Sequence, residues 1–137
     1  MAITSIKVGP TASQLELVGA TYNVDRETLY ALTAGTPKEP RLVDMAGRHP
    51  AYVGETPGAR TIPLVVYMKA AVEATRRTDW AAVVAKLDST SALIDVRWTD
   101  GGATLRYWCS VREAIASTDF AVGTADLIAP DPVAETP

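Results

Sequence analysis

Residues 3–8 alternate apolar and polar, and Gly9-Pro10 ends the pattern as a turn would, which predicts a first strand. Leu15, Leu17, Tyr22 and Val24 repeat the alternation around Gly19, predicting a strand with a bend or bulge. The pattern is then lost over residues 29–59, where Gly35, Pro37, Pro40, Gly47, Pro50, Gly54, Pro57 and Gly58 are spread through the chain. Such punctuation predicts a long loop with short extended pieces. Loops beyond about 12–15 residues in a compact domain usually serve a function, so this one, centred on residues 35–59, is expected to reach a neighbour. Over residues 60–70, Ile62, Leu64, Val66 and Met68 share one face and Thr61, Pro63, Val65, Tyr67 and Lys69 the other. Both faces are apolar in the middle, as in a strand covered on both sides. Pro63 has no N–H for a ladder and places the start of that strand at an edge or bulge.

A helix is predicted over residues 79–88, where Trp80, Val83, Val84 and Leu87 recur at helical spacing with Thr78 or Asp79 as N-cap. Its apolar stripe needs a sheet face to cover, which makes Trp80 a core anchor. A β-hairpin follows: Ile94, Val96 and Trp98 alternate with Asp95 and Arg97, and Leu105, Tyr107, Cys109 and Val111 with Arg106, Trp108, Ser110 and Arg112. Two registers keep the apolar residues on one face. A turn at Asp100-Gly101 sets Asp95 opposite Arg106, whereas one at Gly101-Gly102 sets Arg97 opposite Arg106. Opposite charges pair favourably across strands and type I′ turns favour Asp-Gly, so the first register is expected. A last strand is read over residues 120–128, followed by a proline-containing tail, residues 130–137, expected to be extended and mobile.

With 137 residues, the chain has room for one domain, and its size requires neither disulfides nor metals to fold. We divide it into a β domain, residues 1–129, and the extended tail. The net charge of −3 and hydrophobic fraction of 47% are ordinary for a globular domain. Basic residues such as Arg76 and Arg77 are flanked by Glu73 and Asp79, so no phosphate-tracking stripe is visible and nucleic-acid binding is not expected. The first ten residues carry no signal-peptide pattern, and the apolar run at residues 62–68 is too short to span a bilayer.

The inventory for catalysis is poor. His49 is the single histidine, which excludes a histidine cage for a metal, and its setting, Gly47-Arg48-His49-Pro50, reads as a solvated turn. Cys109, the single cysteine, falls on the apolar face of a strand, where a thiolate is disfavoured, so it reads as a small core residue. Neither GxGxxG nor GxxxxGK[ST] occurs. No catalytic, cofactor-binding or metal-ligating residue is assigned, and the chain is read as non-enzymatic, although scattered carboxylates could meet in space.

The segments GARTIPLVVYMKA, DWAAVVAKLDS, ALIDVRWTDGGATLRYWCSV and ADLIAPDPVAE follow one another in this order after the Gly/Pro-rich stretch. This order resembles the N-terminal domain of the siphophage distal tail proteins and related minor tail proteins of long-tailed bacteriophages. The resemblance covers roughly residues 55–135, and its most specific piece is Leu127, Ile128, Ala129, Pro130, Asp131, Pro132. It implies a mainly β fold, a β-sandwich or partly closed barrel with one flanking α-helix, akin to tail-tube proteins. It further implies a hexameric ring joining the tail tube protein to hub and tip proteins, in a virion assembled in the host cytoplasm, with no cofactor and no membrane. DNA would pass through the ring without needing a specific contact. Family members that continue past the Asp-Pro motif carry a second, carbohydrate-binding-like domain; this sequence reaches only Pro137, so the resemblance covers the ring-forming part and not receptor binding. The alternatives are a tail tube or tube-terminator ring subunit and, from a different class, a monomeric β-sandwich module that binds carbohydrate or protein. A hydrolase has the least support in the residues.

Overall fold

The computed structural model describes residues 3–35, 37–47, 49, 51–88 and 93–137. Along the chain the elements are β1 (Ile3–Gly9), β2 (Leu15–Glu16), β3 (Tyr22–Val24), α1 (Arg26–Thr33), β4 (Lys38–Val43) and β5 (Ala51–Pro57). They continue with β6 (Arg60–Met68), α2 (Glu73–Leu87), β7 (Ile94–Asp100), β8 (Ala103–Val111), β9 (Ile115–Ala116) and β10 (Val122–Ala129). Eight strands form one curled antiparallel sheet in the order β2-β1-β7-β8-β10-β6-β3, with β9 on the side of β10. The sheet is mostly β and nearly closed as a barrel. Two helices accompany it where the sequence predicted one.

The concave face carries the core because period-two alternation sends every second residue inward. Val8, Ile62, Leu64, Val66, Ile94, Val96, Trp98, Tyr107, Cys109 and Leu127 are all buried there. α2 lies between β1 and β6, near the two ends of the curled sheet, and inserts Trp80, Val83 and Leu87 into the core. Trp80 is the expected anchor. The helix itself begins six residues before the predicted start, at Glu73, with Val72 as N-cap and no side-chain cap bond. Those first turns are largely solvent-facing, so no apolar stripe announces them.

The predicted bent strand resolves into β2 and β3, which pair at opposite ends of the sheet, β2 with β1 and β3 with β6. α1 was missed because the alternation through Tyr22 and Val24 runs straight into it. Its start signal was present: Asp25 is the N-cap, and its carboxylate accepts the N–H of Glu27 at 3.1 Å. β3 reaches only as far as Val66 along β6, and beyond that point α1 takes over the edge. There the buried Thr28 hydroxyl donates to the carbonyl of Pro63 at 2.6 Å and accepts the N–H of Val65 at 3.0 Å. The edge inferred from Pro63 is thus real, and a threonine fills it.

The expected hairpin register is overturned. The turn is Gly101-Gly102, with φ of 59° and 92°, and Arg97 stands directly opposite Arg106. Both angles suit a type I′ turn, which needs positive φ at both central positions. The repulsion invoked against this register is cancelled by Asp95, whose Oδ2 lies 2.9 Å from Arg97 and 3.4 Å from Arg106. Asp95 is fully buried under the loop that follows β1, where Thr11 donates to Oδ2 and Gln14 donates to the backbone carbonyl.

Candidate functional site

The Gly/Pro-rich stretch read as a loop is largely a second hairpin. β4 and β5 pair only with each other, forming a separate two-stranded sheet. At its base the Gly58 N–H donates to the Pro37 carbonyl at 3.0 Å, so the two ends of the excursion are adjacent. Successive strand residues point to opposite faces, yet Leu42 and Val43 are 57% and 48% exposed. Both side chains at that end of β4 therefore face solvent, and Met45 beyond it is exposed as well. Prolines and glycines hid the pairing from the sequence, and a shift of register between Arg41 and Leu42 breaks the alternation that would have revealed it.

A second apolar exposure lies on α1. Tyr30 projects into solvent beside an open hollow lined by Ile3, Arg26, Leu29 and Thr33. Val72, Ile115 and Val133 are exposed elsewhere. Single exposed apolar residues are common, whereas adjacent ones at the end of a hairpin that pairs with no other strand make it a candidate contact surface.

The tail departs from the expectation of mobility. It bends at Pro130, Asp131 and Val133 and is fastened at two points. Arg60 is a buried guanidinium, held by carbonyls rather than by a carboxylate: Nε donates to Pro132 at 3.1 Å, Nη1 to Ala31 at 3.2 Å and Nη2 to Gly35 at 3.1 Å. Its charge lies over the ring of Tyr107 and near the C-terminal end of α1, where the helix dipole favours a cation. At the second point Arg106 and Glu135 exchange backbone hydrogen bonds of 2.8 and 2.9 Å. Arg106 Nε and Nη2 and Trp108 Nε1 then donate to the same Glu135 carboxylate oxygen, Oε1, at 2.9, 2.7 and 2.8 Å. The hydrogen bond from Arg106, followed by that from Trp108, holds the Glu135 carboxyl below the usual carboxylate range. Conversely, Glu135 raises the pKa of Arg106.

The residues weighed for chemistry do not converge. His49 is exposed, away from Cys109, which is fully buried on the inner face of β8 as its alternation predicted. Burial, then the nearby charge of Asp95, pushes the Cys109 thiol up to about 12, so it is protonated at neutral pH. Among the described residues no cluster of histidine, cysteine and carboxylate side chains could hold a metal ion. The two basic residues Arg76 and Arg77 are engaged within the domain, Arg76 with the carbonyls of Ala70, Ala71 and Asp119 and Arg77 over the ring of Phe120. No helix among the described residues is long and apolar enough to cross a membrane.

No family model matches the sequence, and no curated protein does. Solved structures do share the architecture. The Dit protein (gp 19.1) of phage SPP1, described as a paradigm of the hub adsorption apparatus in phages that infect Gram-positive hosts, superposes with a TM-score of 0.68 at 15% identity. That alignment covers 96% of this chain and 52% of SPP1 Dit. A chain from the baseplate of phage p2 in its activated conformation superposes with a TM-score of 0.63 at 5% identity, over 91% of this chain and 43% of its own length. The chain thus spans about half the length of the structures it resembles, and its fold is that of phage Dit hub and baseplate proteins.

Proposed function

We propose that this chain is a structural subunit of the tail of a long-tailed bacteriophage, acting as a distal ring, built from six copies, that links the tail tube to the hub or tip. The observation that supports the reading is the likeness of fold to SPP1 Dit, which extends over 96% of the chain. The outstanding hairpin supports it. A heterologous contact between a projecting arm and the next copy closes into a ring when the rotation per subunit divides a full turn. In this reading the body up to Ala129 forms the ring, the hairpin arm reaches the adjacent subunit, and the work is binding rather than turnover. Its place is the virion, assembled in the host cytoplasm with tail tube and hub proteins as neighbours.

The test is native mass spectrometry and electron microscopy of the purified chain, alone and mixed with tail tube and hub proteins. The comparison is a variant in which residues 38–57 are replaced by a short glycine linker, which the contact between Pro37 and Gly58 makes geometrically simple. Hexameric rings for the native chain and a folded monomer for the variant are expected. A native chain that stays monomeric at high concentration and with both partners would overturn the proposal.

A further inference from the structure

Three segments that leave the curled sheet meet at one side chain. Arg60 opens β6, and its cross-strand partner is Ala129, the last residue of β10, so it stands where residues 130–137 depart from the body. Gly58, two residues earlier, closes the root of the β4–β5 hairpin on Pro37. α1 ends at Thr33 with no basic residue in its last turn, so its final carbonyls need donors from elsewhere in the chain. Tyr107 supplies one to Leu32 at 3.3 Å, and Arg60 supplies one to Ala31.

The guanidinium serves each segment with a different nitrogen. Nε faces Pro132, Nη1 faces the end of α1, and Nη2 faces Gly35, from which the chain enters the hairpin. Because Arg60 itself follows the hairpin, the bond to Gly35 joins the entering limb to the leaving one. The group is 4% exposed, with Pro132 buried beside it and the Tyr107 ring 5.1 Å away. A charge so placed is tolerated only while its donors are matched, since a buried charged donor without a partner is costly. Lifting residues 130–137 would take away the acceptor of Nε and admit water. Water would then compete for the two remaining bonds, which are weaker in a wet site than in a dry one.

We infer that Arg60 couples the seating of residues 130–137 to the fixing of the hairpin at its root. With the tail seated, the guanidinium faces inward and holds Gly35; with the tail lifted, it turns to water and lets Gly35 go. Linkage makes the effect reciprocal, so a root held in place tightens the tail. The device lies within one chain, needs no second molecule and holds whether or not the chain forms rings.

The experiment uses full-length protein labelled with 13C and 15N. The Gly35 carbonyl resonance reports its bond to Arg60, exchange at the Gly58 amide reports closure of the root, and exchange at the Arg106 amide, which donates to Glu135, reports seating of the tail. A variant carrying Pro132→Gly and Glu135→Ala leaves Arg60 and the hairpin untouched. It should shift the Gly35 carbonyl and speed exchange at both Arg106 and Gly58 by about tenfold, while the Leu17 amide, bonded to Ile6 within the body, keeps its protection. Arg60→Lys keeps the charge but cannot span three carbonyls, and it should speed the same two amides. Combined, the changes should slow or speed Gly58 by less than about twofold beyond either alone, because both break one link. Either amide responding without the other would overturn the inference, as would variants that move neither or effects at Gly58 that multiply. Should Arg60→Lys not fold, the tail variant decides by itself.

Discussion

Trp80 and Gly123 meet face to face: a Cβ built on Gly123 would lie 2.2 Å from the Trp80 ring. No side chain occupies that distance without moving the indole, and the indole is fixed by helix and sheet together. Gly123→Ala should therefore cost about 1–3 kcal/mol by overpacking, and Trp80→Ala about 3–5 kcal/mol by leaving a cavity. The two are in contact, so the double variant should be more stable than the sum of the single losses predicts, by about 0.5 kcal/mol or more. Urea denaturation of the four proteins measures this directly, and strictly additive values would show that the indole does not rest on Gly123.

At the level of elements, the β7–β8 hairpin shows how a local rule can be outvoted. Cross-strand charge pairing argued for Asp95 opposite Arg106, but the diagonal arrangement lets one buried carboxylate serve Arg97 and Arg106 together. Asp95→Asn should cost about 3 kcal/mol, because it leaves two guanidinium groups facing each other across the strands. Thermal melts would show this, and a variant as stable as the parent would remove Asp95 from its role. The same element explains what the sequence could disclose. The alternation of Ile94, Val96 and Trp98 with Asp95 and Arg97 names the strand and its inner face, since that pattern reflects one covered side. It cannot name the register, in which Arg97 and Arg106 face each other beside an Asp95 that Thr11, far away in the chain, also holds. α1 and the early turns of α2 were hidden for a related reason: α1 is eight residues long, and the start of α2 buries little, so neither displays a full apolar period. The β4–β5 hairpin was visible only as an excess of glycine and proline, with the two-stranded pairing beneath it unreadable.

Over the whole molecule, the tail and the body are joined by a titratable contact. Glu135 has a folded-state pKa below the ordinary value of 4.5, so its contribution is fully present above that value and is lost as pH falls through the lower one. Docking of the tail should hold from neutrality to about pH 5 and fail on further acidification, followed by proteolysis of residues 130–137 or by the Trp108 indole resonance. Asp25 and Asp119 are also held low, so global stability declines over the same range and only a local readout isolates the tail. Glu135→Gln should abolish the acid-dependent step; a step that persists in that variant would assign it to another carboxylate. Arg60 adds a consequence of a mechanical kind. One guanidinium grips the tail at Pro132, the end of α1 at Ala31 and the approach to the hairpin at Gly35. Tension applied at the C-terminus would first load the Glu135 contact and then reach Arg60, which shares the pull between α1 and the root of the arm. Strain entering at residues 130–137 would in this way reach the root of the β4–β5 hairpin without the sheet having to deform.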